Sequence, residues 1–305
     1  MLFRSRDGRI MLDVEKGIEM NAGNVTKYHV NGFFCGFGQG YLGKEKDYET
    51  VVAGVDKAGG LSFINHPHEM FVNGGIGTEN FNLFADLFTR YRTSLVGLEC
   101  FNSGDSGGCG RIVWDGALEI NLPRGKTIWG FANDDSHFER TIGGSSEVFL
   151  MPENTNKALR TAMENGTFFA CSKKANQEMP GVVGTGEYAK ILDVKVSEDN
   201  QTISLIIDDP DAKVTWISNG SKIVAEGSSI NVAECEGIGF FVRANVINGG
   251  GIVCTQPFVL DDSTLSSKET PMLPQKLITS KESRKAKYDF IKKQIKKARS
   301  KSKKK

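Results

Sequence analysis

Between residues 48 and 137 the chain repeats one unit three times: an amphipathic helical stretch, a turn, and a short apolar strand ending in polar residues. The copies are YETVVAGVDKAGG with LSFINHPH, FNLFADLFTRYR with SLVGLECFN, and WDGALEINLPRGK with TIWGFANDDSH. In the first copy Gly59 and Gly60 stop the helix. Unbroken apolar strands alternating with helices predict a parallel sheet covered by helices, because a strand buried on both faces loses the in–out alternation of an antiparallel one. Barrels of this class carry their chemistry in loops beyond the C-terminal ends of the strands. His66, Glu99 and Asp135 fall at that edge.

The texture changes afterwards. Thr155 can cap a helix running to about Asn165, with Gly166 as its stop. Residues 189–260 read as short alternating strands (AKILDVKVS, TISLIID, KVTWIS, SKIVAE, GFFVRANV), with Asn219-Gly220 as a hairpin turn. That pattern predicts a small all-β sandwich of immunoglobulin-like size. A proline-containing linker and a lysine-rich tail follow. The division expected is residues 1–170, 171–262 and 263–305.

Residues 276–305 hold 14 Lys and Arg against Glu282 and Asp289, so a formal charge of +1 for the whole chain hides an acidic body with a basic tail. The tail reads as a solvated terminus rather than a nucleic-acid contact. The six cysteines form no C-x-x-C pair, and neither a disulfide framework nor a thiolate zinc site is indicated. No run of eighteen apolar residues occurs and the first residues are too charged for a signal peptide, which predicts a cytoplasmic chain without membrane contact.

All four histidines, His29, His66, His68 and His137, lie in the first 137 residues, where a metal site would concentrate them. Imidazole nitrogens mixed with carboxylate oxygens suit Zn, Mn or Fe. In Asp135-Ser136-His137, residues two apart on an extended segment project to one side, so both reach one site. Asp134 then faces elsewhere, as an ordinary hydrogen-bonding residue or one that orients a ligand. His66 is the preferred ligand of the Asn65-His66-Pro67-His68 segment, with His68 two residues on. Glu99 is either a ligand-orienting carboxylate or a solvated one. The glycines at 36–40 lack the strand and capped helix of a nucleotide loop, and no G-x-S-x-G elbow supports serine catalysis.

Gly17-Ile18-Glu19, Tyr28-His29-Val30-Asn31-Gly32, Asn65-His66-Pro67, Gly97-Leu98-Glu99 and Asn133-Asp134-Asp135-Ser136-His137 resemble, in order, successive motifs of the PHP (polymerase and histidinol phosphatase) superfamily. The resemblance covers about residues 10–170 and implies an α/β fold, a distorted TIM-like (β/α)7 barrel holding one to three divalent metals that hydrolyses phosphoesters. By position it implies that Glu19 bridges two metals, that His29 and His66 complete the second site, and that Asp135 and His137 bind a first and a third metal. The family opens with a His-x-His strand, whereas the eighteen residues before Glu19 hold no histidine, so an incomplete barrel lacking its first units is expected. Glu19, His29 and His66 alone still suffice for one catalytic zinc with an open position.

The function expected is therefore metal-dependent hydrolysis of a small-molecule substrate, a phosphoester first. Ester, amide or carbamate hydrolysis on the same site is the alternative, and a non-catalytic binding remnant is another. An opened barrel leaves strand edges that favour self-association.

Overall fold

The computed structural model describes residues 3–4, 10–12, 14–24, 27–38, 47–67, 78–105 and 108–260. The linker, the basic tail and His68 lie outside the described residues. After a short antiparallel pair, β1 (Phe3–Arg4) and β2 (Ile10–Met11), the chain builds a five-stranded sheet in sequence order. Its strands are β3 (Ile18–Asn24), β4 (Lys27–Phe33), β5 (Leu61–Ile64), β6 (Leu95–Asn102) and β7 (Trp129–Asn133). The β3–β4 and β4–β5 pairs are antiparallel and the β5–β6 and β6–β7 pairs are parallel.

Helices α1 (Tyr48–Lys57), α2 (Thr78–Arg90) and α3 (Gly110–Asn121) make the connections preceding β5, β6 and β7. All three cover one face. Val51, Val52 and Val55 of α1, Phe84 and Phe88 of α2, and Val113, Trp114 and Leu118 of α3 join Met20, Val30, Ile64 and Leu98 in one buried cluster. The opposite face carries an aromatic stack in which Phe131 lies 4.2 Å from Phe63 and 4.7 Å from Phe168 between ring centroids. Leu159 and Met163 of α4 (Asn156–Asn165) close over it. That helix starts where the sequence predicts: Thr155 Oγ1 accepts the Ala158 N–H, and Gly166 takes φ +67° at the stop.

The expected α/β fold with a (β/α)7 barrel is not what forms: the protein is mostly β-sheet, and among the described residues the five-stranded sheet runs β3-β4-β5-β6-β7 with no pairing of β3 to β7. On the free edge of β7 the position of a further strand is occupied by side chains. Gln256 accepts the Gly130 N–H at 2.9 Å and donates its amide to the Gly130 carbonyl at 2.9 Å, as a neighbouring strand would. Two residues on, Glu147 Oε1 accepts the Ala132 N–H at 2.8 Å. The edge is thus satisfied without a ladder.

The chain beyond β7 is β-rich rather than helical. β8 (Ser145–Phe149) and β9 (Phe168–Ser172) join a larger antiparallel sheet in the order β13-β12-β15-β16-β9-β8. Its other members are β12 (Lys213–Ser218), β13 (Lys222–Glu226), β15 (Phe241–Asn248) and β16 (Gly251–Cys254), with β17 (Phe258–Val259) on β15. A second sheet, β10 (Ile191–Val196), β11 (Thr202–Ile207) and β14 (Ser229–Asn231), shares with it a core around Trp216, Leu205, Ile230 and Val246. The β-part is therefore not a small sandwich appended after a barrel. Its larger sheet recruits β8 and β9, residue 170 lies inside β9, and Ala170, Phe241, Ile252 and Cys254 belong to the same buried cluster as the helices. Buried charge spans the junction as well: Arg243 of β15 grips Asp115 of α3, and Arg111 of α3 grips both Asp105 and Glu178.

All six cysteines are free, five of them buried. Among the described residues no helix is long and apolar enough to cross a membrane.

Candidate metal centre

The site starts from strand alternation. Met20 and Val30 point to the helix-covered face and are fully buried, so Glu19 and His29, one residue before each, point to the other. The antiparallel register sets Glu19 opposite Asn31 and Asn21 opposite His29, which stacks Glu19, Asn31 and His29 on one side. β5 lies beyond β4, and where it ends the Asn65 N–H donates to the His29 carbonyl at 3.0 Å. The chain then turns sharply. His66 takes φ +27°, a left-handed conformation that a non-glycine residue adopts at a cost of roughly 1–3 kcal/mol. This turn swings its ring back over β4.

Three donor atoms converge as a result. Glu19 Oε1 lies 2.9 Å from His29 Nδ1 and 3.9 Å from His66 Nε2, and the two ring nitrogens are 3.0 Å apart. Ligands about 2.0–2.1 Å from a tetrahedral cation sit roughly 3.3 Å from one another, in the middle of that range. Among the described residues this is the one group of three or more His, Cys, Asp or Glu whose ligand atoms all lie within 4.8 Å. The chemistry of the donor set fits too. A single hydrogen on His29 Nδ1 must be shared between Glu19 and His66, whereas a cation in its place would accept a lone pair from each of the three. Burial is graded: the side chains of His66 and His29 are 5 % and 13 % exposed and that of Glu19 is 42 % exposed, so the cluster opens to solvent on the carboxylate side. The hydrogen bond from His29 holds the Glu19 carboxyl below its usual range against the opposing pull of burial, with Asn65 assisting. It is a carboxylate at neutral pH.

Around this trio lies a polar clasp. Asn65 and Asn31 exchange two hydrogen bonds of 3.1 Å, Asn65 Oδ1 accepting the Asn31 N–H and its amide donating to Asn31 Oδ1. Glu99, 2 % exposed, accepts the His66 N–H at 2.5 Å, the Asn102 amide at 2.9 Å and the Asn133 amide at 2.8 Å. Of the two sequence readings for Glu99, the solvated carboxylate is ruled out, since the side chain is buried and holds the His66 backbone. Burial pushes its carboxyl up to about 8, against the pull of those three donors.

The remaining predicted residues stand apart from the trio. Asp134 accepts the Gly143 and Ser145 N–H groups at 2.5 and 2.6 Å and so ties its own loop together. Asp135 takes φ +48°, and His137 is 75 % exposed with its Nδ1 2.9 Å from the Asp135 carbonyl. Neither joins the group around Glu19. Sequence reasoning missed the roles of Asn31, Asn65, Asn102 and Asn133; for the last three, an asparagine at or just past the ends of β5, β6 and β7 was the available signal. Set against known proteins, the chain matches no family model, no curated protein and no solved structure.

Proposed function

We infer that Glu19, His29 and His66 hold one divalent cation and that the protein is a metal-dependent hydrolase acting on a phosphoester. The observation carrying this reading is the convergence of one carboxylate oxygen and two imidazole nitrogens within 2.9–3.9 Å, open on one side. Two imidazoles and one carboxylate suit zinc first, with manganese or iron compatible. The chemistry such a cation supplies when bound is Lewis acidity toward a substrate oxygen and a lowered pKa for water. The chain's own residues do the rest. Asn65 aims the Glu19 carboxylate, and Glu99 fixes the strained turn that aims His66. The exposed flank of Glu19 leaves room for water and substrate. A phosphoester is placed ahead of carboxylic esters, amides and carbamates by the resemblance to the PHP superfamily.

The test is metal content of the purified chain together with turnover of an aryl phosphate and an aryl acetate, in wild type, Glu19→Gln and His66→Ala. One equivalent of metal and phosphate release in wild type, both lost in the variants, is the expected result. Metal content and turnover unchanged in the variants refute the assignment, and release from the acetate alone moves the substrate class to carboxylic esters.

A further inference from the structure

The C-terminal edge of the parallel strands bears a second feature that uses none of the three metal-site residues. A cavity of about 360 Å³ opens between the Ser103-Gly104 turn after β6, the 134–144 loop after β7 and the segment that follows β9. Arg140, Lys173 and Lys174 line it, against one acid, Asp134. Both oxygens of Asp134 already accept backbone N–H groups, from Gly143 and Ser145. Lys173 is held by neutral partners: its Nζ donates to the Gly186 and Gly250 carbonyls and lies 3.8 Å from the centre of the Tyr188 ring. Lys174 leans over the turn, so that a Cβ on Gly104 would sit 3.3 Å from its Nζ. Among the described residues none of the three cations is paired with a carboxylate.

Three cations facing one spoken-for acid make a concave positive field, the recognition chemistry of a multiply charged oxyanion. The loop supplying Arg140 is fixed in advance by the Asp134 clasp and by Thr141 Oγ1, which donates to the Phe138 carbonyl at 2.7 Å. The Arg140 guanidinium rests over the Phe138 ring, 4.6 Å from its centre. Little ordering cost then falls on binding. Phe138 and Ile142, 59 % and 70 % exposed, stand on the same loop and offer apolar surface to whatever carries the anion. We propose that this cavity is a phosphoryl-binding site, with Arg140 and Lys174 as its anion ligands and Lys173, held by its carbonyl partners, adding positive charge beside them. It stands independently of the metal reading, since its residues and its ligand need no cation.

The experiment titrates inorganic phosphate, and separately phenylphosphonate, into the full chain treated with chelator, following binding by calorimetry. Wild type, Arg140→Gln, Lys174→Gln and His66→Ala are compared; the first two variants change exposed side chains. Saturable binding that weakens by about tenfold in each cation variant and persists in His66→Ala is the expected result. Tighter binding of phenylphosphonate assigns an organic phosphoryl compound, and equal binding assigns free phosphate. No saturable binding of either probe overturns the proposal, as does binding that survives the double variant Arg140→Gln/Lys174→Gln or disappears in His66→Ala.

Discussion

Asp115→Ala puts the shared core to a quantitative test. Asp115 is fully buried on α3, and its two oxygens accept Arg243 Nε at 2.7 Å and Arg243 Nη2 at 2.8 Å, with Ser221 Oγ donating at 2.7 Å. Arg243, 2 % exposed, also donates to Asn245 Oδ1 and lies 5.1 Å from the centre of the Trp114 ring. Removing the carboxylate strands a buried guanidinium without its counter-charge. Breaking a buried pair from one side costs about 3–5 kcal/mol. Against a typical stability of roughly 5–15 kcal/mol for a domain, that is a large fraction. Urea unfolding followed by circular dichroism and tryptophan fluorescence should show the loss, with the two probes coincident because α3 and β15 unfold together. Asp115→Leu/Arg243→Met removes both charges and should fall within about 1–2 kcal/mol of wild type, since hydrophobic replacement of a whole buried pair is often neutral or better. A loss below about 1 kcal/mol in Asp115→Ala, or a double variant as unstable as the summed single variants, refutes a desolvated clasp between the two halves.

Three further outcomes follow from the same reasoning. With its folded-state carboxyl raised from 4.5 to about 8, Glu99 keeps in the native state a proton that the unfolded chain has released, so stability is lost as pH rises through that window. Glu99→Gln should cancel this slope, as seen in urea midpoints at about pH 5 and about pH 9; parallel curves for variant and wild type would rule it out. Gln256→Ala orphans the buried N–H and carbonyl of Gly130 and bares the β7 edge, and should cost about 1–3 kcal/mol and raise self-association above wild type by light scattering, whereas wild-type stability and wild-type scattering would contradict the capping role. Zinc at about a hundredfold over its Kd should stabilise the fold by about 2.7 kcal/mol in thermal melts, and a zinc response of the same size in His29→Ala would remove His29 from the ligand set.

Legibility in the sequence follows the range over which each signal acts. Leu61–Ile64 and Leu95–Asn102 are unbroken buried runs, and they form parallel strands where the apolar pattern put them. The Thr155 cap and Gly166 stop act within one turn and likewise hold. Closure of a barrel is a different kind of statement, since it depends on what meets the edge of β7. Here Gln256, 126 residues from Gly130, fills that place, and no local periodicity announces a side chain standing in for a strand. The trio of Glu19, His29 and His66 was accessible from the motif resemblance and comes together in space. Asp135 and His137 were coupled by assuming an extended segment, and the left-handed turn at Asp135 removes that premise.

That turn has counterparts. His66 after β5, Ser103 after β6 and Asp135 after β7 all take positive φ, at +27°, +46° and +48°, although none is glycine. Such strain persists only where the surroundings over-determine it. Glu99 supplies the restraint at the first two strand ends and at the end of β7, collecting donors from His66, Asn102 and Asn133, while the Ser103 N–H donates to the Asn133 carbonyl at 3.2 Å. A glycine at position 66 would adopt the turn without strain but carries no imidazole, so the trio is completed only by a histidine held where its backbone is unfavourable. One buried carboxyl therefore links the geometry of the trio of Glu19, His29 and His66 to the strand ends that open into the cationic cavity, and a change at Glu99 should be felt at both.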